Sequence, residues 1–346
     1  MPSKKKEIMK SKSIISFLSL LLILFILHCC SKKQEVISIN ISLEKDLEIG
    51  VSEGDENYMF GGIIDVEVDS QENIYVLDWK NKTVKKYDKD GKFLQNIGQK
   101  GQGPGEFSAI LVDSCLDRND RLYVVELRKV HIFNEKRGFI NSFIPNFFPL
   151  GVMVDKEGKI ILVGEKEDKI FHIYDQKGEY LDSFGELFPI PEKLRKLHNF
   201  KKTTGARNMH LSDEGRLLVL NPFKYGIDVY QEKKLVKTIS RDNPYYKLPK
   251  LVKNEKGEET DLNTFVKILE TNNHIIVWYA TEVKDYILAE ERYIDIYDKK
   301  DYTFLGTTLI KEKGIPNTVR NNRIYFDVQD EETDFPKVVR YKIVYK

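Results

Sequence analysis

Six times along the chain a polar turn gives way to a short apolar run: Asn73-Ile-Tyr-Val, Arg121-Leu-Tyr-Val, Lys159-Ile-Ile-Leu, Arg216-Leu-Leu-Val, His274-Ile-Ile-Val and Arg323-Ile-Tyr-Phe. A second run follows each of them, from Val84-Lys-Lys-Tyr-Asp and Val130-His-Ile-Phe-Asn through to Val339-Arg-Tyr-Lys. Short runs of β-branched and aromatic residues between turn residues read as strands. A recurring unit built only of strands reads as a propeller blade, which buries its faces by stacking on its neighbours. The pattern therefore predicts an all-β, six-bladed β-propeller of four-stranded blades. The turns 69–73, 117–121, 155–159 and 212–216 open on Asp or Ser, and Asp88-Lys-Asp-Gly91 is a hairpin signal. Blade 4 is expected to start near Arg207, blade 5 near Leu262 and blade 6 near Ile315. Blade 6 has three strands before the sequence ends. Ahead of blade 1, Val36 to Leu43 alternates Ile37, Ile39, Ile41 and Leu43 with Ser38, Asn40 and Ser42, the period of a half-buried strand. That strand is expected to pair outside the third strand of blade 6 and close the ring.

The first residues follow another pattern. Lys4, Lys5, Lys6, Lys10 and Lys12 precede the apolar run Ile14 to Leu27, which ends in His28-Cys29-Cys30-Ser31. The run is short for a spanning helix and suits a signal segment. It resembles a bacterial lipoprotein signal, in which a Cys behind the apolar run is lipidated and becomes the mature terminus. That family prefers a small residue just before the Cys, so Cys30, preceded by Cys29, fits better than Cys29, preceded by His28. A plain secretory signal is the competing reading, and no Ala-x-Ala-like site supports it. The start is Met1 or Met9. The expected organisation is a lipoprotein signal peptide over 1–29, a lipidated tether over 30–35 and the propeller over 36–346, which implies a membrane-anchored protein of a bacterial envelope, periplasmic or on the outer-membrane surface.

Composition narrows the function classes. With 55 Lys and Arg against 54 Asp and Glu, the net charge of +1 draws neither nucleic acid nor an anionic membrane. Cys115 is the one Cys left in the mature domain, so the fold rests on packing, and Cys115 is expected to be a small buried group. His131 and His172 lie in third strands with no zinc spacing. The glycines from Gly98 to Gly105 are not followed by Gly-Lys-Ser/Thr, so they read as a crossing between blades rather than a phosphate loop.

Asp88-Lys-Asp-Gly-Lys-Phe-Leu-Gln-Asn-Ile-Gly98 followed by Gly101-Gln-Gly-Pro-Gly-Glu-Phe107 resembles the NHL-type repeat. More narrowly it is similar to bacterial six-bladed β-propeller lipoproteins in which such a linker joins blades; the likeness is strong over 62–185 and looser beyond. The resemblance implies that the 1–2 and 3–4 turns share one face of the disc, and that the 2–3 loops and blade-to-blade links share the other. The short turns then fall on one side. The long segments 186–206, 240–261 and about 280–292 fall on the link face, and insertions in repeat folds gather on the binding face.

On that face the candidate ligand residues are Trp79, the basic set Arg195, Lys196, Lys201, Lys202 and Arg207, and the pair Tyr245 and Tyr246. Aromatic rings on loops suit peptide or glycan contact. Each has a plainer reading: Trp79 packs on Lys80, the basic loop is a solvated helix face, and the tyrosines cap a blade edge. A second candidate is the channel mouth, where Asp65, Asp113 and Asn208 fall at equivalent positions of the first strands. Their oxygens suit calcium; alternatively they hydrogen-bond neighbouring blades. The favoured function is a monomeric, non-catalytic binding or scaffold module for an envelope protein or glycan, with no cofactor and no nucleic acid. The alternative is a metal-assisted hydrolase or lyase at the channel mouth.

Overall fold

The computed structural model describes residues 39–134, 138–192, 208–221, 223–248, 250–253, 259–283, 291–330 and 333–346. The first strand, β1 (Ile41–Ile49), belongs to the last blade. Blade 1 is β2 (Ile63–Val68), β3 (Ile74–Asp78), β4 (Thr83–Tyr87) and β5 (Phe93–Ile97). Blade 2 is β6 (Leu111–Leu116), β7 (Leu122–Glu126), β8 (Lys129–Asn134) and β9 (Gly138–Phe143). Blade 3 is β10 (Gly151–Val154), β11 (Ile160–Lys166), β12 (Lys169–Tyr174) and β13 (Tyr180–Glu186). Blade 4 is β14 (Met209–Leu211), β15 (Leu217–Leu220), β16 (Gly226–Gln231) and β17 (Lys234–Ser240). Blade 5 has β18 (Lys250–Lys253) beside β19 (Glu259–Glu270), β20 (His274–Val283), β21 (Arg292–Asp298) and β22 (Phe304–Ile310). Blade 6 is β23 (Ile315–Arg320), β24 (Arg323–Gln329) and β25 (Pro336–Tyr345), with β1 outermost.

The second strands are apolar at consecutive positions because both of their faces are covered. Ile74 and Val76 enter the core shared with Tyr325 and Val338 of blade 6, while Tyr75 and Leu77 enter the core shared with Leu122 and Val124 of blade 2. The same division repeats around the ring, so that each of the six hydrophobic clusters lies between two neighbouring blades. The turns are built locally. Asp69 Oδ1 accepts from the N–H groups of Gln71 at 2.9 Å and Asn73 at 2.8 Å, and Asp117, Asp155 and Asp175 do the same in their own turns. In the linker motif, Phe107 is fully buried and lies so close to Gly98 that a Cβ there would fall 2.3 Å from its ring.

Closure differs from expectation in its residues. The closing strand is Ile41–Ile49 rather than Val36 to Leu43, and Val36 to Ser38 lie outside the described residues. The pairing itself is with β25, from Ile41 opposite Tyr345 to Ile49 opposite Val338. A bulge between Lys45 and Leu47 turns the buried face over. Ile41 and Leu43 therefore pack in the core between blades 5 and 6, whereas Leu47 and Ile49 pack between blades 6 and 1. Asp46, at the bulge, accepts from Arg340 Nε at 2.7 Å and Arg323 Nε at 3.1 Å. Two further differences concern blade 5. The link 240–261 is not a plain loop, since β18 pairs with the start of β19, Lys250 opposite Leu262. The strand β20 also runs on to Val283.

Candidate functional site

Strand direction sorts the surface. Each first strand starts at the link face, so 2–3 loops and links meet there: Trp79 N donates to Gly62 O, and Leu127 N donates to Ile110 O, both at 2.9 Å. The last residue of a second strand pins the incoming link. Asp78 accepts from Gly61 N at 2.9 Å and Gly62 N at 3.1 Å. Glu126 accepts from Ala109 N, from Ser108 Oγ at 2.7 Å and pairs with His131 Nε2 at 2.8 Å. Despite burial, those contacts hold the Glu126 carboxyl below its usual range, and burial pushes the His131 imidazole down.

On the link face Trp79 is about one-third exposed and packs over Gly62, where a Cβ would fall 2.5 Å from its Nε1; Lys80 Nζ lies 5.6 Å from its ring. Tyr245 exposes 46% of its surface and stacks on Tyr293 at 4.7 Å, which in turn stacks on Tyr279 at 5.5 Å. Tyr246 is turned inward, edge-on to Tyr225 at 5.0 Å and Tyr279 at 5.7 Å, and burial raises its pKa. Of the pair, Tyr245 is the exposed ring, and Tyr246 holds the column. Arg195, Lys196, Lys201, Lys202 and Arg207 lie outside the described residues, as do Cys30 and the leader. At the edge of that segment, Leu187, Phe188, Phe223 and Tyr230 line a groove of about 560 Å³ between blades 3 and 4. A larger groove of about 850 Å³, lined by Lys85, Asn96, Glu106 and Phe139 among others, lies between blades 1 and 2.

Beneath the tyrosine column lies a buried polar network that sequence reasoning missed. Asp295 is fully buried and accepts from Thr307 Oγ1 at 2.6 Å, Asn243 Nδ2 at 3.1 Å, Tyr279 OH at 3.3 Å, and from Tyr225 OH and Arg241 Nη2. Its members come from blade 4, the link and blade 5, so only the Asp inside an apolar third strand signalled it.

At the channel mouth Asp65 and Asp113 are both buried, and each reaches the next blade. Ser114 Oγ donates to Asp65 Oδ2 at 2.7 Å, and Val152 N donates to Asp113 Oδ2 at 2.9 Å. Asn208 is half-buried just before β14. The sequence did not single out Glu67, in the same strand as Asp65. Burial, then the charges of Asp65 and Asp113, push its carboxyl well above the usual range, against the pull of Lys267. Cys115 is half-buried rather than buried, and desolvation next to these carboxylates holds its thiol protonated. Among the described residues no three His, Cys, Asp or Glu side chains converge as a metal-ligand set. Glu67, with its raised carboxyl, therefore stands in the same strand as Asp65, whose own oxygen is committed to the next blade.

Comparison with known proteins follows the fold. A segment is 30% identical over 143 residues to Protein brain tumor of Drosophila melanogaster; it takes in 40% of this chain, and the chain spans 13% of that protein's length. A solved structure of a DUF4221-family member from Bacteroides vulgatus matches with a TM-score of 0.63 at 13% identity, over 90% of this chain and 99% of that one. A candidate exported protein from Bacteroides fragilis matches with a TM-score of 0.60 at 14% identity, over 91% and 98%. A catalytically inactive virginiamycin B lyase from Staphylococcus aureus, solved with quinupristin, matches with a TM-score of 0.50 at 13% identity, over 88% and 100%. At such identities the likeness speaks for the fold alone. Residues 53–311 match the family DUF5128, described as a 6-bladed beta-propeller, and this chain belongs to that family.

Proposed function

We propose that the protein is a lipid-anchored envelope propeller, NHL-like in its repeats, that binds a protein or glycan through its link face and does no chemistry. The observation that carries this reading is the distribution of exposed apolar side chains. Trp79, Ile110, Leu127, Phe148 and Tyr245 stand on the link face, and the remaining exposed large apolar residues are on that face or on outer strands; no described short turn holds one. Surface apolar groups gathered on one side mark interaction sites. The basic start, the apolar run and Cys30 support the anchor, and a candidate exported protein among the structural neighbours supports the envelope. The channel carboxylates are read as inter-blade contacts because Asp65 and Asp113 each bond the following blade.

The test is site-specific photo-crosslinking in cells, with the crosslinker placed at Tyr245 or Phe148 on the link face and at Lys156 or Lys177 in the short turns. Adducts are expected from Tyr245 or Phe148. Adducts from Lys156 and Lys177 alone would reverse the assignment. Turnover of a lactone or streptogramin substrate that is lost with Glu67→Gln would replace binding by catalysis.

A further inference from the structure

The groove between blades 1 and 2 is lined by side-chain amides. Asn57 stands on the link before β2, Asn81 on the 2–3 loop of blade 1, Gln95 and Asn96 on β5, Gln99 on the link that follows, and Asn134 at the end of β8. Among the described residues, the amides of Asn57, Gln95 and Asn96 have no hydrogen-bond partner. Two others are held in one orientation. Asn81 Nδ2 donates to Asp78 Oδ2 at 2.8 Å, and Gln99 Nε2 donates to Glu106 Oε1 at 2.7 Å, which leaves both amide carbonyls open as acceptors. The charged lining residues are largely committed within the protein. Lys85 is buried, and its ammonium donates to Glu56 O at 2.6 Å and Met59 O at 2.7 Å. Glu106 also accepts from Gly103 N at 2.8 Å, and Asp120 accepts from Ser70 N at 2.8 Å. Glu56 stays open beside the exposed Glu53 and Asp55. An anion therefore meets no open cation in this lining, and one open carboxylate falls short of the six or more oxygens, roughly, that a hard cation takes.

A peptide and a neutral polyhydroxylated ligand remain. A peptide would add to the outer edge of β5 or sink apolar side chains into sockets. The strand β5 carries a bulge: Lys86 lies opposite Gln95 and Tyr87 opposite Phe93, so Leu94 has no partner. A bulge bends an edge strand away from regular pairing. The aromatic lining is mostly closed, since Tyr75 and Phe133 are buried. Phe139 is half-buried, edge-on to Phe133 at 5.8 Å and packed against Gly105, which leaves one ring rather than a set of apolar sockets. A sugar matches these groups. Each hydroxyl both donates and accepts, as each amide does, and the apolar face of a pyranose packs on an aromatic ring. The volume of about 850 Å³ is that of a small-ligand site.

Resting on the link-face reading above, because a 2–3 loop and a blade-to-blade link supply part of its lining, we infer that this groove takes a neutral oligosaccharide. The amides of Asn57, Asn81, Gln95, Asn96 and Gln99 bond its hydroxyls, and one sugar ring lies against Phe139.

The experiment presents the full chain, in a detergent without a sugar headgroup, to a microarray of neutral and anionic oligosaccharides. The best neutral binder is then measured by isothermal titration calorimetry. Neutral oligosaccharides are expected to bind, with an affinity that holds from about 0.05 to 0.5 M salt because no ion pair is made. Asn57→Ala, Gln95→Ala and Asn96→Ala are each expected to weaken binding about two- to tenfold. These amides have no partner within the protein, so the melting temperatures should hold, and Tyr245→Ala should leave the affinity unchanged. No neutral oligosaccharide bound, or binding indifferent to all three amide substitutions, overturns the inference. Binding of anionic oligosaccharides alone, weakened by salt, also overturns it. Loss with Tyr245→Ala or Leu127→Asp alone overturns the groove and leaves the link-face reading standing; loss with Lys156→Ala or Lys177→Ala alone overturns both. Phage-displayed peptides that bind the same chain and are weakened by Gln95→Ala, with the array blank, would make the occupant a peptide and overturn the inference.

Discussion

Ring closure can be tested through Ile49, which exposes 2% of its surface. It packs with Val66, Tyr325 and Val338 in the core between blades 6 and 1 and is the last paired residue of β1. Cutting a buried Ile to Ala loses about 2–5 kcal/mol, through lost transfer energy and the cavity left behind. In a domain of this size about 1 kcal/mol moves the melting temperature by about 2 °C, so Ile49→Ala is expected to lower it by about 4–10 °C. Ile41, at 4% exposure, lies in the separate core between blades 5 and 6. The two losses should add within about 0.5 kcal/mol. The double variant then loses about 4–10 kcal/mol, comparable to the whole stability of an ordinary domain, about 5–15 kcal/mol. Exposed Glu44→Ala and Val51→Ala serve as controls and should stay within about 0.5 kcal/mol. Urea and thermal unfolding followed by far-UV circular dichroism and by tryptophan fluorescence give two views, since Trp278 is buried in the core between blades 5 and 6 while Trp79 is exposed on blade 1. If the ring unfolds as one unit, both signals shift together. The reasoning fails if Ile49→Ala, or a chain beginning at Val51, melts within about a degree of the parent, since the predicted loss is several degrees.

Three further outcomes follow from single sites. Cys30→Ala is expected to leave the protein unprocessed or soluble, as read by membrane fractionation and mass spectrometry of the mature terminus; an unmodified terminus downstream of Ser31 in the parent would count against the anchor. Glu67 is raised in the folded state, so its contribution to stability is present below its unfolded pKa and is lost as pH rises through the folded value. Glu67→Gln should therefore raise the melting temperature at about pH 8 and have little effect near about pH 4.5; equal gains at both would refute the burial argument. Asp295→Ala strands Arg241 and Tyr225 against a buried gap, an expected loss of about 3–5 kcal/mol by urea unfolding, and a change under about 1 kcal/mol would mean that water replaces the carboxylate.

What was legible in the sequence was local or doubly constrained. The run Ile74-Tyr-Val-Leu77 is readable because its two faces enter two different cores, so no polar residue interrupts it. The Asp69 and Asp117 turns are readable because each Asp captures N–H groups two and four residues on. Alternation carried the closing strand only as far as Leu43, because the bulge at Asp46 sends Leu47 and Ile49 to the other face. The hairpin of β18 and β19 escaped notice because Lys250 to Leu262 is mostly charged and polar, without an alternating apolar side. The link-face surface was harder still. Ile110, Leu127 and Phe148 are far apart in the chain and become neighbours only where the links and 2–3 loops of successive blades meet.

The channel shows why equivalence in a repeat is an uncertain guide to chemistry. Asp65 and Asp113 hold the same position in successive blades, and that position has two uses: converging on the axis or bonding the next blade. Each spends an oxygen on the blade that follows, Asp65 on Ser114 and Asp113 on the Val152 N–H. The series breaks in blade 3, where Gly151 stands at that position with no side chain to extend it. A cation site would need the oxygens turned inward together, whereas an inter-blade contact needs only one donor on the adjacent strand. Burial pushes the Glu67 carboxyl well above its usual range, and no carboxylate stands at the matching positions of the next three blades: Cys115 lies there in blade 2, Met153 in blade 3 and His210 in blade 4. A group unique to one blade, set among contacts that repeat, is the better place to look for a ligand of the channel than the repeated pair.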